Sequence, residues 1–238
     1  MSKATEVEQK HGIEWAEAER GLRSEGYASL GRLLDAEQCR GLISLYADES
    51  RFRSRTVMER FHYGRGEYQY LAYPLPAIVA TLRARLYAGL APIAGRWMGS
   101  LGKPSEYPAD HEAFLDQCRA AGQLRPTPLI LKYGAGDFNR LHQDLYGDVV
   151  FPFQVIFCLS RPQVDFEGGE LMLVEQQPRA QSVGRVIPLA HGEAVAITTR
   201  YRPVEGKRGF VRTNVRHGVS PLRSGERYTM GVIFHDAV

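Results

Sequence analysis

The chain has 238 residues, 44% hydrophobic and 24% charged, with a formal net charge of +3. This is enough apolar material for one sizeable core, and it excludes a disordered or fibrous chain. The pI of about 8.8 falls short of the value of about 9 that marks a nucleic-acid binder by charge alone.

No run of about 18 apolar residues stands out, so no membrane span is expected. The first twenty residues carry no apolar h-region, so no secretory leader is expected either. Cys39, Cys118 and Cys158 are odd in number and far apart. That favours a reducing cytoplasm over a disulfide framework. Of the 30 basic residues, 25 are arginine, a side chain suited to phosphate and carboxylate.

Taken in order, "TEVEQKHGIEWAEAERGLRSEG" is an amphipathic helix ending at Gly26. An extended piece, "YASLGRLL", follows. Asp35 then caps a second helix with Leu42, Ile43 and Tyr46 at helical spacing. The segment "RFRSRTVMERFHYGRGEYQYLAYPLP" mixes arginines with aromatics. "PLPAIVATLRARLYAGLAPIAGRWMGSLG" reads as a long helix or a broken pair, opened by prolines and closed at Gly99 to Gly102. From about Thr127 short apolar runs alternate with Gly, Pro and Asp, the texture of a sandwich or barrel. The expectation is an α+β protein: a helical part over residues 1–105 and an antiparallel barrel over 106–238, packed as one unit.

The chemistry concentrates in "NRLHQDLYG" (139–147). His142 and Asp144 are two apart, so on a strand they share a face. A third ligand must come from another strand. His11 sits in a solvated helix, His191 in a turn, and His235 three residues from the C-terminus. In a jelly roll the strand carrying His-x-Asp lies beside one near the chain end. His217 is therefore the expected partner. Two histidines and a carboxylate on one face form the triad of non-haem Fe(II) oxygenases, which leaves positions open for a co-substrate and O₂.

Arg227 and Thr229 share a face of the strand "RYTMGVIF". A buried arginine needs an anion, and a carboxylate-bearing co-substrate supplies one through a bidentate fork. Arg223 competes for this role, but lies in a turn. Tyr133 can reach the same carboxylate or be a core aromatic. Asn139 can donate to the co-substrate or cap a turn. Gly168 and Gly169 shape a tight turn at the mouth, or a plain hairpin.

The order Tyr133-x-x-Gly136-x5-His142-x-Asp144, then Gly168-Gly169-Glu170-Leu171, then His217-x9-Arg227-x-Thr229 resembles the 2-oxoglutarate/Fe(II)-dependent dioxygenase superfamily over roughly the last 110 residues. "FEGGEL" and "HGVSPLRSGERYTMGVIF" resemble prolyl-hydroxylase-type members, and "YGAGDFNRLHQD" resembles AlkB-like ones. As a whole the chain resembles a bacterial and fungal branch predicted to act on nucleic acids.

The resemblance implies a double-stranded β-helix fold. It implies Fe(II) held by His142, Asp144 and His217, and 2-oxoglutarate held by Arg227, Thr229, Tyr133 and Asn139. O₂ is consumed, and ascorbate is an expected stimulant. Three features depart from the AlkB-like pattern. Leu131 stands where that group has asparagine, Tyr146 where it has an acidic residue that meets the damaged base, and Arg227 lies closer to His217.

The substrate surface is expected in the lid 51–73. There Arg53 and Arg55 would meet phosphates, and Tyr68 and Tyr70 would stack on bases of single-stranded or damaged DNA or RNA. Tyr146 is a further candidate. The other reading of this segment is a glycine-rich loop with a solvated charged face. Hydroxylation of a protein side chain or metabolite is the alternative activity, and a ligand-binding barrel without catalysis is a third reading. Nothing in the sequence reports the oligomeric state.

Overall fold

The computed structural model describes residues 12–104, 106–144 and 147–238. In chain order the elements are α1 (Trp15–Glu25), β1 (Tyr27–Arg32), α2 (Ala36–Leu45), β2 (Phe52–Val57), β3 (Gly64–Arg65), β4 (Glu67–Leu71), α3 (Ala77–Ser100) and α4 (His111–Ala120). The strands β5 (Leu129–Tyr133), β6 (Phe138–His142), β7 (Phe153–Cys158), β8 (Phe166–Gly168), β9 (Leu171–Gln176) and β10 (Val183–Ile187) come next. The chain closes with β11 (Glu193–Thr198), β12 (Tyr201–Gly206), β13 (Gly209–Val219), β14 (Leu222–Gly225) and β15 (Arg227–Ile233).

Two antiparallel sheets make a jelly roll. The larger runs β1-β11-β7-β15-β5-β4-β2, and the smaller runs β10-β9-β13-β6-β3 with β12 on β13. The helices cover the outer face of the larger sheet. Its central strands are apolar on both faces because both are covered. Phe153, Val155 and Phe157 of β7, with Met230 and Val232 of β15, pack against Leu86, Leu90 and Trp97 of α3. The intervening residues, including Gln154, Thr229 and Gly231, face the space between the sheets. There Ile156, Leu173, Val195 and Val215 form a second apolar cluster, and the remaining space is the candidate site.

Asp35 caps α2 as expected, in a reciprocal capping box with Gln38. Gly26 ends α1 in the left-handed conformation (φ 82°). The cysteines are buried and unpaired.

Several expectations need correction. The first hundred residues are not purely helical. They supply β1 to one edge of the larger sheet, β2 and β4 to the other, and β3 to the smaller sheet. Strands from both sides of position 105 therefore share both sheets, the earlier ones at the edges. α4 was not expected; Asp110 caps it, and Phe114, Leu115 and Cys118 form its buried stripe. α3 is a single helix through Pro92, and it is long and apolar enough to cross a membrane by length and composition. Its apolar residues fill the core, and its Arg83 makes a buried ion pair of 2.8 Å with Asp236.

Candidate active site

β6 and β13 lie side by side with His142 opposite His217. A Cβ on Gly218 would sit 2.7 Å from the Asn139 carbonyl oxygen, so glycine permits the close approach of the two strands. The imidazole centroids are 4.3 Å apart. Asp144 Oδ2 lies 3.1 Å from His217 Nε2, and Oδ1 lies 3.5 Å from His142 Nε2. One ligand atom from each residue falls within 4.8 Å of the others.

His142 Nδ1 donates to the Arg140 carbonyl at 2.7 Å, which aims Nε2 at Asp144 and fixes the ring as an outer-shell bond does at a metal. Gln143, between His142 and Asp144, donates to the carbonyls of Arg200 (3.1 Å) and Val215 (2.8 Å).

Burial pushes the Asp144 carboxyl up, but the two imidazoles outweigh it and hold the group well below the usual range. Burial and then the neighbouring His142 push His217 down. Asp144 is thus ionised and His217 favours its neutral form, the states a metal ion binds; burial pulls His142 down, but Asp144 beside it outweighs this and holds it up, so a metal ion would displace a proton there.

Gln154 was missed in the sequence. Its amide nitrogen is 2.7 Å from Asp144 Oδ2 and 3.1 Å from His217 Nε2. The available signal was a single polar residue inside "FPFQVIF", 3% exposed in the structure.

The triad and Arg227 line one cavity of about 470 Å³, together with Tyr133, Asn139 and Thr229. Arg227 is 3% exposed. Its Nε and Nη1 have no hydrogen-bond partner, and the Tyr133 hydroxyl faces the Asn139 side chain. The guanidinium lies 5.6 Å from the Tyr133 ring centroid; burial lowers its pKa and pushes the Tyr133 hydroxyl up to about 12. β15 and β5 place Arg227 opposite Tyr133.

Orphaned donors of this kind fit an incoming carboxylate. The two histidines and one carboxylate beside them fit Fe(II) with open positions for 2-oxoglutarate and O₂. Asn139 lies on β6, not at a turn cap. Arg223 is exposed and faces Glu170 at 3.4 Å. Gly168 and Gly169 both have positive φ, 79° and 62°. A Cβ on Gly169 would meet Leu222 at 2.4 Å and the Arg227 stem at 3.1 Å.

The segment 51–73 is mostly strand rather than a loop, and only residues 58–63 turn at the cavity mouth. It forms β2, β3 and β4, anchored by pairing of β4 with β5. Arg55 makes an ion pair of 2.6 Å with Glu67. Arg53 donates to the Pro126 carbonyl and lies over the Tyr70 ring at 4.4 Å. Both arginines expected to meet phosphate are thus engaged within the protein.

Tyr68 and Tyr70 line the cavity, edge to face. Within this segment the exposed aromatics are instead Phe61 (55%), Tyr63 (50%) and Tyr73 (47%); Phe61 and Tyr63 are stacked at 5.6 Å, with Tyr63 at the cavity wall. Tyr146 and His11 lie outside the described residues. The other described histidines are not ligands here. His111 and His235 are core residues bonded to the backbone at Phe234 and Phe151, His191 is in a turn, and His62 borders the mouth.

Residues 66–237 match a family described as an oxygenase catalysing oxidative methylation of damaged DNA. The chain belongs to this family. It is an oxygenase, and therefore an oxidoreductase. It is 52% identical over 164 residues to a protein of Mycobacterium tuberculosis found in strains CDC 1551 and H37Rv, covering 69% of this chain and 70% of that one.

Among solved structures, those similar in fold to this oxygenase include three enzymes. A Pseudomonas putida prolyl-4-hydroxylase has TM-score 0.54 and 16% identity, covering 94% of this chain and all of that one. A 2OG-Fe(II) oxygenase family oxidoreductase from Burkholderia pseudomallei has TM-score 0.55 and 17% identity, covering 96% of each. A viral collagen prolyl hydroxylase from Paramecium Bursaria Chlorella virus-1 has TM-score 0.52 and 13% identity, covering 90% and 97%. These likenesses concern the fold.

Proposed function

We propose that this oxygenase hydroxylates a methyl carbon on a damaged nucleic-acid base. His142, Asp144 and His217 hold Fe(II). Arg227, Tyr133 and Thr229 hold the far carboxylate of 2-oxoglutarate, with Asn139 beside them. The observation that carries the co-substrate reading is Arg227: a buried guanidinium, short of partners, in the same cavity as a two-histidine, one-carboxylate cluster. When bound, Fe(II) with 2-oxoglutarate and O₂ supplies an oxidant able to insert oxygen into a C–H bond, releasing succinate and CO₂.

The chain's own residues orient and exclude. Gln154 bonds Asp144 Oδ2, the oxygen that also faces His217. The His142–Arg140 bond holds one ring, and Leu129, Leu131 and Ile233 keep the inner wall apolar. A methyl group on nitrogen, once hydroxylated at carbon, departs as formaldehyde and leaves the base restored.

The base reading is supported by the family's description and by the stacked Phe61–Tyr63 pair at the mouth, since base–aromatic stacking tolerates any sequence. The test is succinate release with Fe(II) and 2-oxoglutarate across N-methylated oligonucleotides, peptides and small metabolites. Stimulation by the methylated oligonucleotides is expected. Stimulation by a peptide or metabolite alone would replace the substrate and leave the co-substrate site standing.

A further inference from the structure

Residues 200–216, "RYRPVEGKRGFVRTNVR", carry six basic residues and one acid, net +5, in a chain whose total is +3. The remainder of the chain is therefore −2, and this hairpin holds the molecule's positive excess. Arg202 is buried in a 2.6 Å pair with Glu175. Lys207, Arg208, Arg212 and Arg216 are exposed and make no ion pair among the described residues.

β12 and β13 pair from Tyr201 opposite Asn214 to Gly206 opposite Gly209, whereas β9 pairs with β13 only from Asn214 onward. Residues 201–213 thus form a two-stranded arm reaching past the sheet. Arg212 and Arg216 share one face of β13 at period two, and Phe210, 49% exposed, is on the same face. Arg200 and Arg212 both lie over the Tyr201 ring, at 4.5 and 4.8 Å, which holds their charges in place without neutralising them. The arm is tied to the site. Gln143, which lines the cavity between the ligands, bonds to Arg200 and Val215 at its base.

We propose that the β12–β13 arm is a binding surface for the sugar–phosphate backbone of a single-stranded nucleic acid, held by Lys207, Arg208, Arg212 and Arg216, with Phe210 offered to a base. The inference rests on the nucleic-acid reading above and says where the strand is gripped. A cationic ribbon with an interleaved aromatic matches a polyanion bearing π-faces. By the same period, Phe210, Arg212 and Arg216 alternate with His217, so the grip lies on the outer face of the sheet whose inner face carries the triad.

The test is fluorescence anisotropy of the full chain with a single-stranded oligodeoxynucleotide at several salt concentrations. The variant Lys207→Gln/Arg208→Gln/Arg212→Gln/Arg216→Gln should bind roughly ten- to a hundred-fold more weakly at low salt. Its log–log salt slope should be smaller by about 3, since each single-strand phosphate contact contributes about 0.7. A matched variant losing four exposed arginines elsewhere, Arg20, Arg40, Arg85 and Arg125 each to Gln, should stay within about threefold of wild type. Phe210→Ala should weaken binding without changing the slope. Circular dichroism melting checks that each variant folds. Wild-type binding that the hairpin variant retains in full would overturn the arm and leave the substrate reading intact. Equal loss in both four-charge variants would reduce the arm to general charge and overturn it too. Absence of oligonucleotide binding by wild type would overturn both readings.

Discussion

Taking a guanidinium out of water without an anion costs several kcal/mol, and Arg227 is 3% exposed with two nitrogens unpartnered. Such a residue is stabilised when a carboxylate arrives. Charge-assisted hydrogen bonds contribute about 1.5–3 kcal/mol each. Arg227→Ala should therefore raise the 2-oxoglutarate requirement at least about tenfold, while Arg223→Ala, exposed on its turn, should change it little. Titration of 2-oxoglutarate against both variants reads this directly, and a reversed ranking would sink the assignment. His217→Ala should weaken Fe(II) binding and abolish turnover, with His191→Ala nearly silent. Iron affinity by equilibrium dialysis separates the two, and full retention in His217→Ala would remove the third ligand. Gln154→Leu tests the residue that bonds both Asp144 and His217. Outer-shell losses typically cost 10- to 100-fold in metal affinity or activity, and a change below twofold would leave Gln154 a packing residue.

The strands place these groups, and the glycine turn before β9 sets the position of Arg227. Gly169 has φ 62°, and an added methyl would meet Leu222 and the Arg227 stem. Gly169→Ala should raise the 2-oxoglutarate requirement by displacing the arginine, with iron affinity retained; loss of iron affinity instead would mean that the turn supports the whole sheet. The Gly-Gly pair, the His-x-Asp spacing and the alternation of Arg227 with Thr229 were legible because side-chain direction repeats every two residues on a strand. So was the capped start of α2. Less could be read where pairing partners are distant. "RFRSRTV" and "GEYQYL" are rich in arginine and tyrosine, and nothing local shows that β4 completes the edge of β5. Gln154 was hidden because its role appears only when β7 is packed beside β6 and β13. That Gln143 bonds the carbonyls of Arg200 and Val215, some 57 and 72 residues away in the chain, is likewise a tertiary fact.

The molecule as a whole depends on a core that keeps polar groups dry. Burial pushes His111 and His235 down to about 4. Unfolded histidine titrates near 6.5, so between about pH 6.5 and 4 the unfolded chain binds more protons than the folded one. Stability should be full above about pH 6.5 and fall as pH drops through that window. Denaturant midpoints between pH 8 and 4 should show the decline, flattened in His111→Gln; an unchanged slope would mean that this histidine is protonated in the folded core. The same packing joins the helices, both sheets and the cavity. The most direct measurement of the central claim is the molar ratio of formaldehyde to succinate formed from a single-stranded oligonucleotide carrying an N-methylated base, with Fe(II), 2-oxoglutarate and O₂. A ratio near one is expected, with both products lost in Asp144→Ala. Succinate that forms at the same rate without the methylated oligonucleotide, and with no formaldehyde, would contradict it.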